Sequence, residues 1–223
     1  TLASTSLVVT FTPVTLRTPC VVWDADAGTH ASQDGSGVWK SGGDDWWTGS
    51  TNISWNNSFT QLVYFGSGGG GTYTSTADSG LLTTYAMRFR TNADSEIAGT
   101  GRLHCPPAEQ MIVVSSEVAT LSAAITGTTG FVKDGGGTLV LGGANLLTGV
   151  YTVGKGVLAV ANNGPLDTRL GRPDSVIVSN GAQFQYRATN QAASTKATLF
   201  RLSGVGPDGN GAMYNAGGFH GSY

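Results

Sequence analysis

Short apolar runs alternate with polar positions along almost the whole chain, and Gly, Asn or Asp closes nearly every run. The segments 138–141 (TLVL), 150–153 (VYTV), 157–160 (VLAV), 175–178 (SVIV) and 182–186 (AQFQY) are of strand length and are bounded by turn residues. Alternation of this kind is the signal of a strand with one buried face. The same reading predicts strands over 6–12, 20–23, 61–65, 72–76, 84–90, 110–115 and 198–202. Helix competes in one place, 116–125 (SEVATLSAAI), where the β-branched residues and the following Gly-Thr favour strand. The Trp-rich stretch 28–57 has no clean period and reads as a long loop pinned by its indoles rather than as regular sheet. The expected fold is all-β, a β-solenoid-like or β-sandwich body of short strands joined by Gly/Asn turns, with an N-terminal extended strand.

That N-terminal strand stands apart. Leu7, Val9 and Phe11 alternate with Val8, Thr10 and Thr12, Pro13 follows, and the polar tether Arg17-Thr18-Pro19 leads to Cys20. Residues 1–18 therefore read as strand and tether, 19–105 as a Trp/Gly-rich β-region, and 106–223 as a repeat-like β-segment. A run of this length and pattern can serve as the first strand of its own body. It can also add to an exposed edge of a neighbouring molecule, where main-chain hydrogen bonds supply affinity and alternate side chains set the register. A head-to-tail contact that does not close produces a filament.

Composition narrows the function classes. Charged residues make up 12% of the 223, well below the usual quarter, while glycines number 34. The polar faces are thus covered by hydroxyls and amides. A net charge of −2 leaves no electrostatic footprint for nucleic acid or an anionic membrane. No twenty-residue apolar run predicts membrane insertion. The chain begins at Thr1 without Met, which reads as a processed mature chain or a fragment.

Candidate chemistry is sparse. GSGGGG at 66–71 fits a phosphate-binding glycine pattern, but strand and turn residues follow it where a helix N-terminus is required. His30, His104 and His220 are scattered without metal-ligand spacing, and no GxSxG elbow is present. No catalytic residue, metal site or cofactor is expected, and the chain does not read as an enzyme. Cys20 and Cys105 are too far apart in sequence for a CxxC motif. In an exported chain the expectation is a Cys20–Cys105 disulfide, against the alternative of two separate buried thiols. Asp24, Asp26, Asp34, Asp44 and Asp45 form the densest acidic cluster, as turn caps or as calcium ligands, although the EF-hand pattern fails. Beside them, Trp39, Trp46, Trp47 and Trp55 offer indole faces of the kind that stack on sugar rings. Two sequons place candidate glycosylation at Asn52 and Asn56.

The stretch 133–143 (KDGGGTLVLGG), with Asn145, Thr148-Gly149, Val153, GVLAV at 156–160 and SVIVSNGAQFQY at 175–186, resembles the autotransporter-associated β-strand repeat. It departs from the pattern at Leu146-Leu147, where the family usually has Thr-Tyr. The resemblance implies a passenger-type bacterial protein that is secreted or displayed at the cell surface. With the strand pattern it leads to a structural subunit, self-associating head to tail into a surface fibre or adhesive filament by β-strand addition. The alternative is a secreted carbohydrate-binding, even polysaccharide-active, module that contacts surface glycans through the Trp/Asp-rich segment.

Overall fold

The computed structural model describes residues 20–29, 34–57, 62–66, 73–90, 93–107, 110–161, 166–187 and 197–217. The N-terminal run with Leu7, Val9 and Phe11 lies outside these residues, as do His30, His220 and most of the 66–71 glycine loop.

The chain winds as a β-solenoid. Each rung lays one strand in a first sheet and one in a second, and the middle rungs add a strand in a third before the chain returns to the first. Among the described residues the first sheet stacks Val21–Trp23, Leu62–Phe65, Ala86–Phe89, Met111–Val114, Gly130–Asp134, Val150–Val153, Ser175–Val178 and Leu199–Leu202 in parallel. The second runs from Gly37–Trp39 through Tyr73–Ala77, Ser95–Gly99, Val118–Leu121, Thr138–Leu141, Gly156–Val160 and Ala182–Tyr186 to Met213–Asn215. The third is shorter, with Leu81–Thr83, Arg102–Cys105, Ala124–Gly127 and Leu146–Leu147. One helical turn, Leu166–Arg169, follows where the third sheet ends. The sheets pass through position 105 without interruption.

Parallel in-register stacking puts like positions above one another, so the core consists of columns. One column of the first sheet reads Val21, Val63, Met87, Ile112, Lys133, Val153, Val178 and Leu202. One of the second reads Ala119, Leu139, Leu158, Phe184 and Met213. Every second side chain of each strand therefore meets its counterparts from adjacent rungs, and burial of these apolar stacks drives the coil to close.

Lys133 is the exception in its column. Its side chain is fully buried, and Nζ donates to the carbonyls of Gly135 (2.5 Å), Gly137 (2.6 Å) and Lys155 (2.8 Å). Those carbonyls belong to two successive turns, so the ammonium ties one rung to the next. Burial pulls its pKa down to about 8, with Asp134 acting in the opposite direction. Gly156, at φ +64°, lies against this cradle. A Cβ there would meet Nζ at 2.6 Å and the Gly135 and Gly137 oxygens at 2.5 Å, which is why the turn takes glycine. Asn145 does a similar job further along the same rung: its Oδ1 accepts from the Ile125 amide at 2.8 Å, and its Nδ2 donates to the Arg169 carbonyl.

The expected Cys20–Cys105 disulfide is not formed. Both thiols are free, Cys20 exposed and Cys105 buried. Cys20 precedes the first strand of the first sheet, whereas Cys105 ends a third-sheet strand two rungs further on. Two strand spacings amount to about 9–10 Å, beyond the ~7 Å over which Cα atoms can be bridged. Burial pushes the Cys105 thiol up to about 12, keeping it protonated.

Candidate functional site

At its N-terminal end the solenoid is closed by aromatic packing. Strand Val21–Trp23 is flanked on its outer side by the antiparallel pair Trp46–Trp47 and Asn52–Ile53. Trp23, Trp39, Trp46 and Trp55 are buried there together. Trp39 meets Trp46 and Trp55, each at 5.0 Å between ring centroids and near-perpendicular or steeply inclined. Trp46 lies 4.9 Å from Trp55 and 5.4 Å from Trp23. Phe65 and Phe89 continue the stack into the next rungs, 5.1 Å apart. Edge-to-face, tilted and stacked ring contacts of these kinds add to the apolar area that each ring removes from water.

This packing corrects the carbohydrate-contact set. Trp39, Trp46 and Trp55 turn no face to solvent and cannot stack on a sugar, which leaves Trp47, half-buried on the opposite side of its two-residue strand. The Gly-rich strands have few large apolar residues, and the indoles fill the end of the core instead.

The acidic residues around this end serve the backbone. Asp24 is fully buried and accepts from Asn52 Nδ2 at 3.1 Å and from the Asp26 amide at 3.3 Å. Asp26 accepts from the Gly28 amide at 3.0 Å, and Asp34 from the Gly66 amide at 3.1 Å. Asp44 accepts from the Ser54 hydroxyl. Burial raises the pKa of Asp45; Lys40 opposes the shift, and Asp44 and Asp24 add to it. Among the described residues no three His, Cys, Asp or Glu side chains are grouped to hold a metal ion. Of the two sequon asparagines, Asn56 is exposed, whereas Asn52 is half-buried with Nδ2 donating to both Asp24 and the Asp44 carbonyl at 3.0 Å.

A second place is on the outer face of the first sheet. Register sets Tyr64 beside Arg88, and the backbone bond from the Arg90 amide to the Phe65 carbonyl (2.9 Å) brings Arg90 alongside. The Arg90 guanidinium carbon lies 4.4 Å from the Tyr64 ring centroid and that of Arg88 5.9 Å, within cation–π range. With Ser115 these residues line a cleft of about 330 Å³. No motif in the sequence marks these residues as a site. The alternation Arg88-Phe89-Arg90 within a predicted strand did signal two outward arginines, but only the register shows that Tyr64 lies next to them.

The third place is the C-terminal end. Leu199–Leu202 pairs with Ser175–Val178, and Met213–Asn215 with Ala182–Tyr186; among the described residues no strand covers their other edges. Along the columns exposure rises at the last described rung: Val178 and Phe184 are 0% exposed, whereas their successors Leu202 and Met213 are 46% and 44% exposed.

Comparison with known proteins adds one relative. Over 165 residues, 72% of this chain, the sequence is 31% identical to an adhesin, the BmaC autotransporter of Brucella suis biovar 1 (strain 1330), and it spans 4% of that protein's length. No protein-family model matches the chain. No solved structure matches it. The likeness and the β-solenoid together fit a passenger-type autotransporter region.

Proposed function

We propose that this chain is an adhesive β-helical module of the passenger type, which joins its neighbours end to end by β-strand addition. The similarity to an autotransporter adhesin supports an extracellular or cell-surface location. The observation that carries the assembly reading is that among the described residues no strand pairs with the far edges of Leu199–Leu202 and Met213–Asn215, and that Leu202 and Met213 stand about half exposed there. An edge of this kind is a template for another strand. The run with Leu7, Val9 and Phe11 has the length and alternation of a donor, with apolar side chains at every second position to meet the open columns. The repeat-like stretch 133–160 fits the role of a stacking unit, since Lys133 and Asn145 tie turn to turn. The partners of this reading are further copies of the chain and surface glycans, and it includes no catalytic step.

Sedimentation velocity and electron microscopy at neutral pH test assembly. The intact chain is expected to form linear oligomers as concentration rises, and a chain lacking residues 1–16 is expected to stay folded by circular dichroism yet monomeric. Monodisperse monomers of the intact chain at high concentration, or unfolding on deletion, would overturn strand addition. For adhesion, beads coated with the chain should bind epithelial layers above albumin-coated controls; equal binding would overturn that part.

A further inference from the structure

The cleft at Tyr64, Arg88, Arg90 and Ser115 combines features that structural packing does not require. Arg88 is exposed and Arg90 half-buried, on the outer face of a sheet whose stability comes from its inner columns. Among the described residues neither guanidinium pairs with a carboxylate, and along the same ladder Val113 separates Arg88 from Asp134. Arg90 is nonetheless positioned, because stacking over the Tyr64 ring at 4.4 Å restrains its plane. A guanidinium held in this way loses less side-chain freedom when it binds and offers a fixed fork of N–H donors. The Cys20 thiol donates to the Tyr64 hydroxyl oxygen at 3.8 Å, which leaves the phenolic hydrogen free to point elsewhere.

All four lining residues carry N–H or O–H donors. We propose that this cleft binds the carboxylate or sulfate group of an acidic saccharide, with Arg88 and Arg90 holding the anion and the Tyr64 and Ser115 hydroxyls meeting the sugar's oxygens. The setting for such a ligand, at a cell surface, rests on the adhesive reading above. A long polyanion such as nucleic acid is disfavoured by the net charge of −2 and by a positive patch of only two side chains. An acidic peptide would be expected to use strand pairing or apolar side-chain pockets, and this cleft lies over strands already paired on both sides.

The test is titration of the whole chain with labelled hyaluronan, which carries carboxylates alone, and with dextran sulfate, which carries sulfates alone. Neutral dextran and polyglutamate serve as controls, and the polymer that binds identifies the anionic group. Binding to one or both acidic polysaccharides should exceed that to either control by about tenfold, and Arg88→Ala or Arg90→Ala should each weaken it about tenfold, the scale of a charge-assisted hydrogen bond. Arg90→Lys keeps the charge but loses the fork and should fall between. No polysaccharide binding, polyglutamate binding equal to that of the polysaccharides, or an Arg88→Ala/Arg90→Ala double variant within about twofold of the parent would overturn the proposal. Bead adhesion scored in parallel separates the two readings. Adhesion without polysaccharide binding overturns this site alone, while polysaccharide binding without adhesion supports the site and overturns the adhesive reading.

Discussion

The two ends of this solenoid meet the same physical problem in opposite ways. Every rung buries its inward side chains against the rungs on either side, so the first and last described rungs each have one apolar surface that no further described rung covers. At the N-terminal end Trp39, Trp46 and Trp55 turn inward across the column ends, and the antiparallel strands Trp46–Trp47 and Asn52–Ile53 occupy the free edge of Val21–Trp23. Two-residue strands offer little ladder for a further chain to pair with. At the C-terminal end no indole crosses the columns, and Leu202 and Met213 extend beyond buried Val178 and Phe184 into solvent. One end is thus built as a cap and the other as a continuation of the repeat.

The largest test removes the cap. Trp39→Ala empties a fully buried site at the centre of the indole cluster, and truncation of a buried large aromatic costs about 3–5 kcal/mol. Because a solenoid is stabilised by nearest-neighbour rungs, the damage should be graded along the axis. Hydrogen exchange should show Val21–Trp23 and Leu62–Phe65 losing protection before Ser175–Val178. Uniform loss in all rungs, or a urea-unfolding change below about 1 kcal/mol, would mean that the indoles do not act as a cap.

The cap was also the part least legible in the sequence. Strands Thr138–Leu141, Val150–Val153, Ser175–Val178 and Ala182–Tyr186 lie at the bounds that alternation predicts, because their inward positions are all apolar or aromatic. Strands Ser95–Gly99 and Gly130–Asp134 are not marked by alternation, since their inward positions include Ser95 and Lys133, which carry no apolar signal, and Arg102–Cys105 has only Leu103 and the small Cys105 facing inward. The helical turn Leu166–Arg169 is too short to show a period. Composition marked the tryptophans as notable without saying whether their faces point in or out. That is decided by the two-residue strands Trp46–Trp47 and Asn52–Ile53, which bend the segment back over the core. The cleft at Arg88 and Arg90 depends on pairing between residues far apart in sequence, and a single strand's pattern does not contain it.

Between the ends, Lys133 tests how much of the stacking depends on polar ties rather than apolar columns. Lys133→Met keeps the bulk but leaves three carbonyls without a donor, and a loss of about 2 kcal/mol at neutral pH is expected. The dependence on pH has a definite sign. Burial holds the folded-state pKa near 8, below the ordinary 10.5, so the unfolded chain binds more protons in that window. Below pH 8 the penalty of burying the charge is fully present, and it is relieved as pH rises towards 10.5. Wild type should therefore gain on Lys133→Met between those values in paired urea titrations. A constant difference would show that the ammonium is not desolvated, and that this tie is exposed to water in a way the apolar columns are not.

The smallest expected effect on stability falls at the open end, where the consequence for assembly is greatest. Leu202→Lys and Met213→Lys replace side chains that are already about half exposed, so the unfolding free energy should move by no more than about 0.5 kcal/mol. The same changes place two charges across the column ends, and stacking another strand there would require burying both without partners. Sedimentation should then show a folded monomer at concentrations where the parent associates. If the double variant associates as the parent does, the contact lies elsewhere and the two ends differ only in solvent exposure. If it unfolds, the last rung is more deeply integrated than its exposure implies, and the C-terminal face belongs with the capped end rather than opposite it.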